Sequence, residues 1–299
     1  MATAKSRYDA LSSGRNQFLQ TAIDASKLTL PYLIKQDEAD STYKTLITPW
    51  QSVGAKGVTT LSSKLMLALL PPQTSFFKLQ IDESTILSGE LDPAIRSDLD
   101  VSFAKIERTI LESIAASDDR VVVHQAIKHL VVSGNALIFM DKEKLKLYPL
   151  HRYVVERDGL GNVIEIVTKE KIHKSLVKNM LKEVDSKELN RVDDESTGYS
   201  REDVDVYTIV KRDNNRFIWH QEVYDKVIPG SQGKAPLDST PWLPLRFNSV
   251  DNEAYGRGRV EEFMGDLKSL EALSQAICEG SAAAAKVVLD RKSTRLNSS

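Results

Sequence analysis

One cysteine in 299 residues, Cys278, leaves no disulfide to be made within the chain and suits a reducing compartment. Long apolar runs are missing as well. The stretch 65–72 falls far short of the roughly 20 apolar residues that a membrane span needs, and the first nine residues contain no apolar h-region, so no signal peptide is read. Nor is there a basic excess: 40 Lys and Arg stand against 42 Asp and Glu, a net charge of −2. Phosphate contacts supply most of the non-specific affinity of DNA-binding proteins, so this is not the charge balance of a tight DNA binder. A conduit that surrounds DNA without gripping it would have the same balance, and composition does not separate the two.

Catalytic constellations are scarce too. No P-loop, Gly-x-Ser-x-Gly elbow, Cys-x-x-Cys or His-Glu-x-x-His occurs, so ATP hydrolysis, acyl transfer and zinc chemistry have no visible site. Among the five histidines, His124 and His129 lie five apart. That puts them about 140° apart around a helix, unlike the i, i+4 pair that grips a metal. Tyr255-Gly256-Arg257-Gly258-Arg259 suggests a phosphate loop at a helix start, where backbone N–H groups attract anions. The adjacent Glu261 and Glu262 would repel phosphate, however, and Arg257 and Arg259 can pair with those carboxylates on a helix surface. We therefore expect no catalytic residue, no cofactor site and no metal site.

What is present is helical periodicity at both ends and alternation between. Tyr8, Leu11, Phe18, Ala22 and Ala25 mark a helix over 7–30 that Pro31 ends. Thr48 and Pro49 read as the cap and first residue of a helix at 50–70, which Pro71 and Pro72 stop. A strand is expected at 76–82, then a helix opened by Asp92-Pro93 and striped by Ile95, Leu99, Phe103, Ile106, Ile110 and Ile114. A further helix, about 119–133, ends at Gly134-Asn135. Strands follow at 136–140, 144–148, 152–156 and 162–168, with Asp158-Gly159-Leu160-Gly161 as a hairpin turn. Residues 169–183 look helical, 184–202 read as a polar loop, and strands are expected at 203–212, 215–222 and 242–247.

The last element is predicted as a helix over about 257–288. Val260, Phe263, Leu267, Leu270, Ser274, Ile277, Ser281, Ala284 and Val288 hold a seven-residue repeat, and Gly280 to Ala285 carry little side-chain bulk. Such a rod would be roughly 48 Å long. Nothing else in the chain is long enough to pair with all of it, which favours a partner from another subunit or from sequence absent here. Val260, Phe263, Leu267, Leu270, Ile277 and Ala284 are its candidate packing positions. From Asp290 to Ser299 the repeat stops and only Leu296 is apolar, so 290–299 is expected to be a frayed, non-native tail.

Four blocks of residues are more idiosyncratic than a generic core requires. They are Thr48-Pro49-Trp50-Gln51 with Val53-Gly54-Ala55, running on through Ser63-Lys64-Leu65-Met66-Leu67-Ala68-Leu69; Leu130-Val131-Val132-Ser133-Gly134-Asn135; Tyr153-Val154-Val155 with Arg157-Asp158; and Tyr255-Gly256-Arg257 with Gly265-Asp266-Leu267. In this order they resemble the head-to-tail connector, or portal, family of short-tailed podoviruses of the autographivirus kind, over roughly residues 5 to 289.

The resemblance implies an α+β fold: a helical wing region over 1–135, a small, mostly antiparallel β-rich wing region over 136–250, and a first stem helix over 257–289. It implies a non-enzymatic virion subunit, assembled in the host bacterial cytoplasm as a dodecameric ring at one capsid vertex. Double-stranded DNA would pass through the ring during packaging and ejection. The implied partners are capsid and scaffolding proteins, terminase and tail proteins, with no membrane. It also implies that a clip, a second stem helix, a tunnel loop and a crown would follow in a longer protein. The competing readings are another virion component such as a tail adaptor, or a phage enzyme with an unrecognised site.

Overall fold

The computed structural model describes residues 3–34, 47–72, 74–80, 93–141, 144–173, 176 and 203–296. Helix α1, Ala4–Leu28, starts where the Thr3 hydroxyl accepts a hydrogen bond from the Ser6 N–H at 3.3 Å. It ends before Pro31, because Thr29 Oγ1 donates to the Ala25 carbonyl and Ser26 Oγ to that of Leu30, both at 2.7 Å. Among the described residues three more helices precede the strands: α2, Val53–Leu69; α3, Pro93–Ala116; and α4, Asp119–Ser133. Gly134 closes α4 in the left-handed conformation, φ 74°, as its sequence predicts.

Nine strands form two antiparallel sheets among the described residues. The first has the order β2-β1-β9, from Leu145–Tyr148, Asn135–Met140 and Trp242–Arg246. The second runs β3-β4-β5-β6-β7, from Tyr153–Arg157, Val163–His173, Asp203–Asp213, Arg216–Val223 and Lys226–Val227, with β8, Gly233–Pro236, also paired to β6. The β3–β4 hairpin turns where the Asp158 carboxylate accepts from the Leu160 and Asn162 N–H groups and Gly161 takes φ 84°.

The second sheet is buried on both faces over its centre. Val155, Ile166, Val210 and Phe217 join the main core with α1, α2 and α4, while Val154, Val167, Tyr207 and Ile209 receive Ala4 and Tyr8 of α1. Alternate residues of adjacent strands therefore face two different layers. Arg15, 6% exposed, crosses this interface: its Nη1 donates to Tyr8 Oη at 2.7 Å and to the His151 carbonyl at 3.0 Å. Glu222 fastens the start of α1, accepting from the Ala4 N–H at 2.6 Å.

The fold is α+β, as expected, but several elements differ from their sequence reading. β4 continues to His173 where a helix is expected from 169, because Lys169–His173 pairs with Tyr207–Asp203 of β5. Helix-favouring Lys and Glu are overruled there by tertiary pairing; Glu170 is buried and engages the Tyr148 hydroxyl and, at 2.6 Å, Lys146. Of the strand expected at 76–82, residues 81 and 82 lie outside the described residues; Phe76 to Gln80 join no sheet among the described residues, and the Leu79 N–H is instead taken by Glu107 of α3 at 2.5 Å. β8 has no counterpart among the expected strands. The loop expected at 184–202 lies outside the described residues.

Candidate functional site

Three of the four sequence blocks meet where α4 turns into β1 and the chain leaves β9. Gly134, Gly256 and Gly258 let backbone touch backbone here. A Cβ on Gly134 would lie 2.4 Å from the Arg257 carbonyl carbon, one on Gly256 2.7 Å from the Gly134 oxygen, and one on Gly258 2.5 Å from the Val132 oxygen. Asn135, 1% exposed, bridges the two segments. Its Nδ2 donates to the Ser133 and Gly256 carbonyls at 2.8 Å each, and its Oδ1 accepts from the Gly256 N–H at 2.7 Å. The Phe247 N–H adds a bond to the Gly134 carbonyl at 2.9 Å. Tyr255, also buried, accepts from the Val155 N–H at 3.1 Å, and burial pushes its phenol up to about 12.

The glycine-arginine segment is therefore a packing corner. Arg257 reaches Glu253 at 2.5 Å and Glu261 at 2.8 Å, and lies 4.9 Å from the Phe18 ring centre; Arg259 pairs with Glu262 at 2.5 Å. Hydrogen bonding to Glu253 holds the Arg257 guanidinium above its ordinary pKa. Both cations are committed to carboxylates, as their spacing allows, and the phosphate-loop reading loses its cations.

The remaining block begins α2, and its attachment differs from the expected one. Thr48 and Pro49 are not helical, and the helix starts at Val53 without a side-chain cap from Ser52. Gln51 supplies that cap instead: its Oε1 accepts from the Gly54 N–H at 2.9 Å, while its Nε2 donates to the Leu28 carbonyl that ends α1, at 2.7 Å. Gly54 is required by the same approach, since a Cβ would sit 2.5 Å from the Leu28 oxygen. Glu271, more than two hundred positions away, accepts from the Trp50 and Gln51 N–H groups at 2.8 and 3.3 Å. Thr48-Pro49-Trp50-Gln51 thus clamps α1, α2 and the C-terminal helix together.

That helix is in two pieces rather than one over 257–288. A single turn, α5, Arg259–Glu262, breaks at Phe263, whose N–H bonds tightly back to Val260 at 3.1 Å. Helix α6 then runs Met264–Leu296, 33 residues or about 50 Å. Its backbone stays helical past Asp290, beyond the expected limit of the repeat, because no Gly or Pro follows to stop it.

Val260 and Leu267 are buried and Leu270 is half-buried; with Phe263 they line an apolar groove of about 360 Å³ opposite Val53, Val58 and Leu61 of α2. Farther along, the stripe is bare. Leu273 and Ile277 are 62% and 67% exposed, and every residue from 275 to 285, Ala284 included, is exposed. The first four candidate positions are thus brought together at the junction, while Ile277 and Ala284 stand clear of it. Gln51 and Asn135 lie inside the four sequence blocks and Glu271 lies just beyond the last of them; none is marked by the sequence, because their roles depend on partners distant in sequence.

His129 is buried in α4, and burial, with repulsion from His151, lowers its pKa to about 4. Cys278 is exposed on α6. Among the described residues no group of His, Cys, Asp and Glu is placed to hold a metal ion, and no helix is long and apolar enough to cross a membrane.

Comparison with known proteins bears on the same residues. The sequence model of a family described as "Bacteriophage head to tail connecting protein" matches residues 1–297. The chain is 37% identical over 294 residues to the portal protein of Enterobacteria phage T3 and 35% identical over 294 residues to that of Escherichia phage T7. A third portal protein, from Pseudomonas phage phiKMV, is 29% identical over 280 residues. These alignments cover 95%, 95% and 92% of this chain and 53% of each relative, so the chain spans about half the length of the curated relatives it matches.

Proposed function

The chain belongs to the bacteriophage head to tail connecting protein family, and from that premise we propose that it forms the wing and first stem helix of a portal subunit. Copies arranged around an axis, twelve in the proposed ring, would seat at one capsid vertex, with α6 as the stem. Double-stranded DNA would pass through the ring, and scaffolding, capsid, terminase and tail proteins would meet the complete subunit. The subunit would act by shape rather than by chemical catalysis, as a component of the virion assembled in the host cytoplasm.

The observation that carries this reading is the uncovered stripe of α6. Ile277 continues the line of Val260, Leu267 and Leu270 beyond the point where α2 covers it, and Leu273 is exposed beside it. A 33-residue helix with a described flank bare from 275 to 285 is not stabilised by its own chain alone. The small residues from Gly280 to Ala285 allow a neighbouring helix to approach closely. A net charge of −2 suits a channel wall through which DNA slides without being held.

Sedimentation of the wild-type chain beside Ile277→Asp tests this reading. A carboxylate in the apolar seam should shift the chain from large to small species without changing its circular dichroism. Identical, monomeric sedimentation of both proteins at micromolar concentration would remove α6 as the assembly element.

A further inference from the structure

Glu271 holds the N–H groups of Trp50 and Gln51, so α6 passes the start of α2 at that level. From there α2 runs back along Leu270, Leu267 and Val260, while Leu273 and Ile277 lie farther out along α6, beyond the start of their own chain's α2. The outer side of α2 is bare in turn. Val53, 58% exposed, lines with Gly57, Thr60 and Leu61 a shallow trough of about 460 Å³ that Lys56 and Lys64 border. Gly57 answers to nothing in its own chain: a Cβ there would meet no atom within 4 Å, whereas one on Gly54 would strike the Leu28 oxygen. A glycine in mid-helix weakens the helix, and its gain is close approach by something outside it. Lys56 and Lys64 are the only charged residues of α2, and neither forms an ion pair among the described residues. The bare part of α6, 273–285, has the opposite sign: Glu279 is its only charge, and it accepts from the neutral Gln275 amide at 2.8 Å.

We propose that the outer face of α2 receives the bare stretch of α6 from a second copy of this chain, with Leu273 and Ile277 in the trough beside Gly57 and Glu279 reaching Lys56 and Lys64. The contact presupposes the ring proposed above and supplies its second face. Copies around a ring axis meet through two different surfaces; a stripe that packed on its own counterpart would close a two-fold pair instead. The surface that receives α6 therefore lies elsewhere on the subunit. The spacing suits both helices. Lys56, Thr60, Val53 and Gly57 follow one another around about 100° of α2, and Glu279, Ala276, Leu273 and Ile277 around about 160° of α6. Each strip thus has its charge at one rim and its apolar or bare position at the other. A further bare stripe, at Ile106 and Ile110 of α3, has the wrong charge for Glu279: Arg108 is tied to Glu112 at 2.9 Å, and Asp98 and Asp100 stand against Lys105.

A disulfide trap reads this contact, because the one native cysteine can be removed. Thr60→Cys and Ala276→Cys are placed together in a Cys278→Ala chain; all three positions are exposed, so the reduced protein should keep its melting temperature. A bridge forms only where the two Cα atoms come within about 4.4–6.8 Å. Oxidation with copper phenanthroline at micromolar concentration should give a ladder extending beyond the dimer on non-reducing gels, since each copy carries one partner of each kind. A chain with either cysteine alone can give no more than a dimer and should stay monomeric on the gel. Adding Lys56→Glu and Lys64→Glu should abolish the ladder, and Glu279→Lys in that background should restore it. Large species in sedimentation without a ladder would overturn the α2 contact and leave the ring reading standing. Dimers from Ala276→Cys alone, or a ladder undiminished by the two Lys→Glu changes, would likewise overturn the contact. Monomers in sedimentation with no ladder would overturn contact and ring reading together.

Discussion

Replacing Asn135 by Asp isolates the polarity of the junction from its volume. The two side chains have nearly the same shape, and the Oδ1 that accepts from the Gly256 N–H at 2.7 Å is retained. The Nδ2 group, which donates to the Ser133 and Gly256 carbonyls, becomes an oxygen 2.8 Å from each of them. Both carbonyls then lose their donor at a residue that is 1% exposed, where water cannot readily replace it. A buried backbone group left unpaired costs about 1–3 kcal/mol, so two together should cost about 2–5 kcal/mol before any charge is counted. Guanidinium denaturation followed by fluorescence would read this as a lower midpoint at unchanged slope. Asn162→Ala is the contrast: it removes an exposed 2.9 Å bond to Asp158 in the hairpin turn and should cost less than about 1 kcal/mol. If Asn135→Asp lay within about 0.5 kcal/mol of wild type, the junction would not be held as described.

Three other perturbations follow from the same geometry. Gly258→Ala places a Cβ 2.5 Å from the Val132 oxygen at an ordinary φ of −82°, so steric crowding alone should cost about 1–3 kcal/mol, read as a lowered Tm. His129, with a folded-state pKa of about 4 against an ordinary 6.5, is neutral in both states above pH 6.5 and adds no slope there. As pH falls from 6.5 to 4 the unfolded chain takes up a proton that the fold refuses. Stability should therefore drop by about 3 kcal/mol in total and level off below pH 4, and His129→Gln should flatten that part of the profile. Leu267→Asp buries a carboxylate at a 9% exposed position and should lower Tm well below that of Ile277→Asp, whose site is 67% exposed in one chain; equal Tm values would contradict the groove packing.

Local chemistry carried the readings that succeeded. The helix Asp119–Ser133 has a left-handed glycine at its end, and the β3–β4 turn combines Asp158 with Gly161, so each announces itself within a few residues. Failures came where distant partners decided. Lys169 to His173 carry helix formers yet pair with β5, and β8 contains Gly233 and Pro236, residue types that disfavour a strand until β6 is beside them. At the start of α2, Thr48 and Pro49 have the right types for a cap and first turn, but Gln51 and the remote Glu271 satisfy the backbone there. The break at Phe263 was hidden because its side chain keeps the seven-residue repeat, while the interruption lies in its backbone. The four blocks carry the family resemblance by residue type alone, whereas the junction that three of them hold, through Asn135, Gly256 and Tyr255, depends on contacts between segments distant in sequence.

A gene product of the relatives' full length should close into rings. Negative-stain images of that purified protein should show annular particles with a central opening, their walls built from radially arranged copies of the fold described above. Uniform monomers at micromolar concentration, or open filaments without a central hole, would contradict the assignment of α6 to the wall of a ring.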